Sequence, residues 1–435
     1  MAVNRVAAKR RVVFIDIARA VAALLVVESH LATVWTVMHH ASSPVLDFVN
    51  TLFTDPLHVS KQGLGQPGVP MFFLISGFIV TPLAMHQGAP RFAIGRVLRI
   101  YPTLIVVVLL TGLAITLGFE PLLTGQAVVV NPTTLLTNAT LVNYVLVPQV
   151  VLVGVAWTLV VEVIFYFLLI ALLPLVRRML WLAITVELTF VQVVLMTARA
   201  FNDNYLLFAV SVSFLPIVIM GQVIWSAYTR RIRLWAAGLL LAASWCLYTW
   251  AGLRDMGRLD NSYDLSLAIA VLCLLMGLFA EDRLAERRVW TWLSERTYSI
   301  YLWHGLVGYA MLTAVYPYVG FEVGFLIAVV ATFVAVEIGY RLIERPSHIL
   351  SRKLSRPKDS RKSTRDIPAE IAAEVTAQIP RITGARQAPA HRAGDGSGGP
   401  PPPPPERPRR QHNRQHHDGR HAVRPFPAAG VRRGR

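Results

Sequence analysis

The stretch Val155-Ala156-Trp157-Thr158-Leu159-Val160-Val161-Glu162-Val163-Ile164-Phe165-Tyr166-Phe167-Leu168-Leu169-Ile170-Ala171-Leu172-Leu173 holds nineteen residues and a single charge. Coiled as an α-helix it rises about 28 Å, close to the roughly 30 Å hydrocarbon core of a bilayer. Residues 97 to 117 read the same way. Working outward from these two blocks, comparable apolar runs cover 12–36, 67–85, 97–118, 155–174, 179–198, 205–226, 233–251, 264–280, 297–316 and 321–343. The fold expected is an all-α polytopic membrane helix bundle of about ten transmembrane helices with a disordered C-terminal tail.

Composition agrees with that reading. The chain of 435 residues is 54% hydrophobic and only 15% charged, with a mean hydropathy of +0.50, whereas soluble domains carry about 25% charged residues. The first apolar run follows Arg5, Lys9, Arg10 and Arg11, as a secretory signal would. It also carries Asp16, Arg19 and Glu28 and lacks a small-residue cleavage site, so a retained first helix is expected. Cys246 and Cys273 both sit in apolar runs, which argues against a disulfide framework or a cysteine metal site. No His/Cys/Asp group has metal-ligand spacing, and the histidines between His412 and His421 fall in the tail. No metal is expected.

The net charge of +17 is unevenly placed. Residues 356–435 hold 17 Lys and Arg against 7 Asp and Glu, and include six consecutive prolines, Pro400 to Pro405. Such a segment buries too little apolar surface to fold by itself. A basic tail of this kind suits the anionic cytoplasmic leaflet rather than nucleic acid, which is not an expected partner. Only 369–379 in it resembles a short helix. The expected organisation is a cytoplasmic N-terminus (1–11), a membrane domain (12–350) and a basic, Pro/Gly-rich cytoplasmic tail (351–435). With the N-terminus inside, the cytoplasmic flanks of the spans hold 19 Lys and Arg and the opposite flanks 4. That bias satisfies the positive-inside rule with both termini cytoplasmic. The abundance of Arg over Lys, 37 to 5, suits a GC-rich bacterial genome, hence a bacterial inner membrane. Two exterior segments, about 38–66 and 119–154, are long enough to serve as lids or to be plain connectors. No internal repeat supports an inverted-repeat transporter, and the sequence carries no mark of an oligomeric state.

Ionisable groups inside a membrane are costly, so each is a functional candidate. Arg19 and His30 are eleven residues apart, within about 20° on a helical wheel and about 16 Å apart along the axis. They share a face at different depths. Asp16 can pair with Arg19 at i, i+3 spacing, while Glu28 falls on the opposite face and reads as structural or interfacial. Ser76-Gly77 permits either close helix packing or a hydrogen-bond donor beside reacting groups. Arg96 and Arg99 share a face at the cytoplasmic start of the third span, as a phosphate clamp or as a topology signal in contact with lipid headgroups. Glu162 is expected at the depth of His30, as the partner of a general base or as a helix pin. His304, in Tyr298-Ser299-Ile300-Tyr301-Leu302-Trp303-His304, is expected toward the cytoplasmic side, in cofactor binding or in a structural hydrogen bond.

In this order the segments resemble the integral-membrane acyltransferase family 3, the O-antigen and exopolysaccharide O-acetyltransferase type. Asp16, Arg19 and His30 match its opening element, and Gly68 to Phe78 its Gly-Val-x-x-Phe-Phe-x-x-Ser-Gly-Phe element. Arg96 to Pro102 match Arg-x-x-Arg-Ile-Tyr-Pro. Trp157 to Tyr166 match Trp-Ser-Leu-x-x-Glu-x-x-Phe-Tyr with Thr158 in the Ser position. Tyr298 to His304 and Glu344-Arg345-Pro346 complete the set, over about residues 11 to 350. Asp16-Ile17-Ala18-Arg19 lacks the usual Gly. No Gly-Asp-Ser segment follows the last span, so the hydrolase-like domain fused to some relatives is not expected.

The resemblance implies transfer of an acyl group, commonly acetyl, from cytoplasmic acyl-CoA (acetyl-CoA foremost). The acceptor would be a hydroxyl of a sugar, glycolipid, cell-surface polysaccharide or related small molecule. It implies donor binding at Arg96, Arg99, Tyr101 and His304, with Arg19 near the thioester. It further implies a base or acyl carrier at His30 oriented by Glu162, and oxyanion stabilisation by Ser76. The alternative is a transporter or flippase for a glycan or lipid-linked sugar, which has no need of Arg-x-x-Arg at the inner face.

Overall fold

A computed structural model describes residues 12–56, 63–122, 128–254, 256 and 263–354. Residues 1–11, Lys61, Arg258, the 369–379 segment and nearly all of the basic tail lie outside the described residues. Among those described, helices account for all regular structure. Eight runs are long and apolar enough to cross a bilayer. The last of them covers 67 residues and is broken at Gly320, where φ is 75°, a value that suits a residue without Cβ. Tyr263–Phe279 adds a shorter apolar helix of 17 residues.

The spans are α1 (Val13–Met38), α2 (Gly68–Gln87), α3 (Ala89–Thr116), α4 (Trp157–Ala171), α5 (Leu180–Thr197), α6 (Asp203–Tyr228), α7 (Leu234–Leu253) and α8 (Tyr263–Phe279). They are followed by α9 (288–319) and α10 (321–344) on either side of Gly320, and by a short amphipathic α11 (Arg345–Leu354). Leu239, Leu272, Met276, Leu326 and Val330 are more than half exposed. Their outward faces suit lipid contact, since a bilayer removes the penalty water imposes on them.

The centre of the bundle is set by small residues. Gly77 of α2 and Gly221 of α6 interlock: a Cβ on Gly77 would stand 1.8 Å from the Val218 carbonyl oxygen, and one on Gly221 1.9 Å from that of Leu74. The two backbones therefore touch, as small-residue helix crossings in membranes allow. This confirms the packing role of Ser76-Gly77 for the glycine and leaves the serine free for another.

Helix α1 is anchored to α9 and to the turn before it. The Glu281 carboxylate accepts from the backbone N–H groups of Val13 and Phe14, at 2.8 and 2.9 Å, satisfying two donors a helix start otherwise leaves open. Ser294 Oγ donates to Asp16 at 2.7 Å, and Arg19 donates to Thr297 Oγ1 at 2.8 Å. Asp16 and Arg19 thus reach across to matching i, i+3 positions on α9.

Span α9 begins at Arg288, nine residues before the start expected from hydropathy. Glu295 and Arg296 made the early turns look polar. Arg296 is in fact 7% exposed, bound by Glu337 of α10 at 2.6 Å and held between the rings of Trp292 and Tyr340, each 4.3 Å from its guanidinium carbon. It is therefore an internal ion pair rather than a flank charge.

Residues 128–156, ahead of α4, pack into the bundle rather than lying flat on its surface. Asn138 donates to the Val150 carbonyl and accepts from Leu152 N–H, and the Tyr144 hydroxyl donates to Val153. The result buries Val151, Leu152, Val153 and Val155 just before α4 begins.

Candidate active site

A cavity of about 410 Å³ lies between α1, α2, α3, α4, α9 and α11. Arg96 and Arg99 come from one face of α3 and Arg352 from α11, where Gly95 allows Ser351 to approach α3. Arg19 of α1, Ser76 of α2 and Glu162 of α4 line it further in. The three carboxylates on its wall are engaged by protein groups: Asp16 by Ser294, Glu295 with Arg296 at 4.0 Å, and Glu162 by the Tyr166 hydroxyl at 2.5 Å. The guanidinium of Arg96 stands over the rings of Phe92 and Tyr166, 5.7 and 5.8 Å from their centroids. Its Nε and the Ser76 hydroxyl are buried without a protein hydrogen-bond partner. Polar groups buried in this state call for a ligand or water.

Toward the middle of the bundle the wall turns apolar, with Val69, Phe72, Phe73 and Leu159, and closes on Tyr301. The Tyr301 hydroxyl donates to the Val155 carbonyl at 2.7 Å and pairs with Thr158 Oγ1 at 2.9 Å, so the buried segment ahead of α4 fixes this end of the cavity. Behind Tyr301, 6.1 Å between ring centroids, lies His304.

His304 and His30 form a pair. His30 Nδ1 lies 2.9 Å from His304 Nε2, and the rings stack with centroids 5.1 Å apart and an angle of 22° between their planes. Each histidine sits in a π-helical turn, Ser29–Val34 in α1 and His304–Gly308 in α9. Such turns recur at functional sites because the extra residue re-aims side chains without ending the helix.

Of the residues singled out from sequence, Arg19, Ser76, Arg96, Arg99 and Glu162 are brought together in one cavity. Three placements differ from expectation. Glu162 does not orient His30; its partner is Tyr166, among the arginines. The cause is the entry of α4: Thr158 is already level with Tyr301, and Glu162 lies about 6 Å further along the helix. His304 is not toward the arginines but pairs with His30, because the earlier start of α9 carries it more than four turns into the bundle. Tyr101 does not line the cavity; two residues beyond Arg99, it is turned about 200° away from it.

Sequence reading missed Tyr166 and Tyr301 as polar wall, and Ser294 and Thr297 as the anchors of Asp16 and Arg19. The matching i, i+3 spacing on the two helices is the signal that links those last four. Arg352 was legible only as charge flanking the last span and His348 was not singled out at all, yet both line the cavity.

A family model described as an acyltransferase domain matches residues 12–340. Neither the curated proteins nor the solved structures include a significant match. The family match covers more than half of the sequence and includes every span from α1 to nearly the end of α10, so the chain belongs to the integral-membrane acyltransferase family 3.

Proposed function

We propose that this membrane acyltransferase is an O-acetyltransferase of a bacterial inner membrane. It would take its acyl group from cytoplasmic acetyl-CoA, or another acyl-CoA, and deliver it to a hydroxyl of a sugar, glycolipid, cell-surface polysaccharide or related small molecule. The observation that carries this reading is the lining of the cavity, where Arg19, Arg96, Arg99 and Arg352 share one space with the apolar Val69, Phe72, Phe73 and Leu159 while the histidine pair stays outside the lining, behind Tyr301. Such a mixture suits a ligand that carries both phosphates and a thioester arm.

Arg96, Arg99 and Arg352 would hold the phosphates of the donor, a task for which planar guanidinium forks are well shaped. Arg19, pinned by Thr297, and the Ser76 hydroxyl would face the thioester and receive the charge that grows on its carbonyl oxygen. His30 would take the proton of the acceptor hydroxyl. Glu162 is better placed to orient Arg96 through Tyr166 than to act on His30. The charge bias of the flanks supports cytoplasmic termini and an arginine end that faces the cytoplasm.

The test is incubation of membranes with radiolabelled acetyl-CoA, followed by separation of glycan, lipid and small-molecule fractions. Label is expected in one of them. His30→Ala is expected to insert normally and transfer none, and full acetylation by that variant would refute the assignment.

A further inference from the structure

His304 is 0% exposed and does not line the arginine cavity. Its hydrogen bonds nevertheless determine the state of its neighbour. His304 Nδ1 lies 3.0 Å from the Ile300 carbonyl oxygen. A carbonyl only accepts, so Nδ1 carries the proton and the neutral ring is bare at Nε2. That bare nitrogen is 2.9 Å from His30 Nδ1, so His30 is the donor; its ring also donates to the Val26 carbonyl one turn earlier, the acceptor a helical histidine reaches from Nδ1, and the neutral ring is bare at Nε2. The relay runs one way, from His30 through His304 to the backbone of α9.

The approach of the two rings is built into the backbones. A Cβ on Gly308 would stand 2.8 Å from Leu31 Cδ1 of α1 and 2.5 Å from Thr332 Oγ1 of α10. Glycine there lets α1 close on α9 at the level of the histidines, and the facing π-helical turns present both rings to the gap.

We propose that His304 is the positioning residue for His30: together with the Val26 carbonyl it holds His30 as the Nδ1–H tautomer, and it makes Nε2 the atom that accepts the substrate proton. The inference rests on the reading of His30 as base. In the transfer, the acceptor hydroxyl gives its proton to His30 Nε2 and its oxygen bonds to the acyl carbon. The carbon–sulfur bond breaks, and the departing thiolate takes the proton back from Nε2. His30 keeps Nδ1–H throughout, and His304 Nε2 supports the imidazolium formed in between.

Two substitutions separate this role from simple packing. His304→Gln can place its amide oxygen near the former Nε2 and still accept from His30. His304→Asn reaches only the former Nδ1 position and leaves the His30 N–H with the Val26 carbonyl as its one remaining acceptor. His304→Gln is expected to keep kcat within about tenfold of the parent, and His304→Asn to lower it by about 100-fold or more, the scale of a misplaced general base. KM for acetyl-CoA should hold in both, since neither touches the arginine cavity. Equal kcat in the two variants would overturn the proposal, whether both are active or both are inactive. The unsubstituted protein supplies a measurement independent of any effect on folding. With ¹⁵N-labelled histidine in membranes, a through-space correlation between a protonated Nδ1 and a bare Nε2 is expected, and it should vanish in His304→Gln. A His30 ring protonated at Nε2 would also refute the proposal. Undiminished transfer by His30→Ala is a different result, which removes the base reading itself.

Discussion

At the scale of single residues, the buried arginines of the bundle divide between two duties. Arg19 is spent on Thr297 and Arg296 on Glu337, so both are tied into the bundle. Arg96 retains a buried Nε without a protein hydrogen bond, as a residue awaiting an anion would. Hydrogen bonds to charged groups contribute about 1.5–3 kcal/mol each. Arg96→Ala and Arg99→Ala are therefore expected to raise KM for acetyl-CoA by about tenfold or more each, and Arg352→Gln to raise it by less, with kcat changed less than KM in all three. Steady-state kinetics over a range of acetyl-CoA concentrations checks this, and an unchanged KM in the Arg96/Arg99 double variant refutes the donor clamp. Arg96 and Arg99 were legible because three-residue spacing alone puts them on one face. The same arithmetic, carried two residues further, takes Tyr101 off that face, where motif resemblance had placed it with them. Glu162 was misjudged for another reason: depth in the membrane depends on where a helix starts, and the start of α4 is decided by Asn138, Tyr144 and Tyr301 in other parts of the chain.

At the scale of elements, the crossing of α2 and α6 decides whether Ser76 faces the cavity at all. Gly77 and Gly221 meet the opposing helix through carbonyl oxygens rather than flexible side-chain ends, so an added methyl has nowhere to go without parting the helices. Gly77→Ala is expected to destabilise the detergent-solubilised protein by about 3 kcal/mol, at the upper end of overpacking costs. It should also reduce transfer, because Ser76 moves with the displaced backbone. A thermal melt followed by size-exclusion fluorescence reads the first effect. An unaltered melting point would show that the crossing has slack. The helices were readable as apolar runs, with ends within a few residues for most of them. The ninth was not, since an ion pair between α9 and α10 neutralises the residues that hid its first two turns. Residues 128–154 likewise gave no sign that their asparagines and tyrosine would fold them into the bundle, because those partners are set by tertiary contact rather than by local pattern.

For the whole molecule, the ends of α1 and α3 that carry the arginines, the Glu281 turn and α11 meet at one end of the membrane domain, and under the proposed orientation that end faces the cytoplasm. Donor use should then be one-sided. Sealed inside-out vesicles are expected to consume labelled acetyl-CoA, and sealed right-side-out vesicles to consume it only after permeabilisation. Equal consumption by both sealed preparations would overturn the orientation. The all-helical, membrane-spanning character accumulates over hundreds of residues, which is why composition revealed it without knowledge of a single contact.

The histidine pair also has a history during synthesis. Its two members are 274 positions apart in the chain, and α1 is held to α9 by Asp16 and Arg19 over 278. At about 5–20 residues per second, ribosomes make the first ring roughly 15–55 s before the second. Through that interval the nascent protein already sits in the bilayer with His30 lacking its neighbour. Under the proposed mechanism, transfer begins only when the ninth span inserts beside the first, so every partly translated copy is silent.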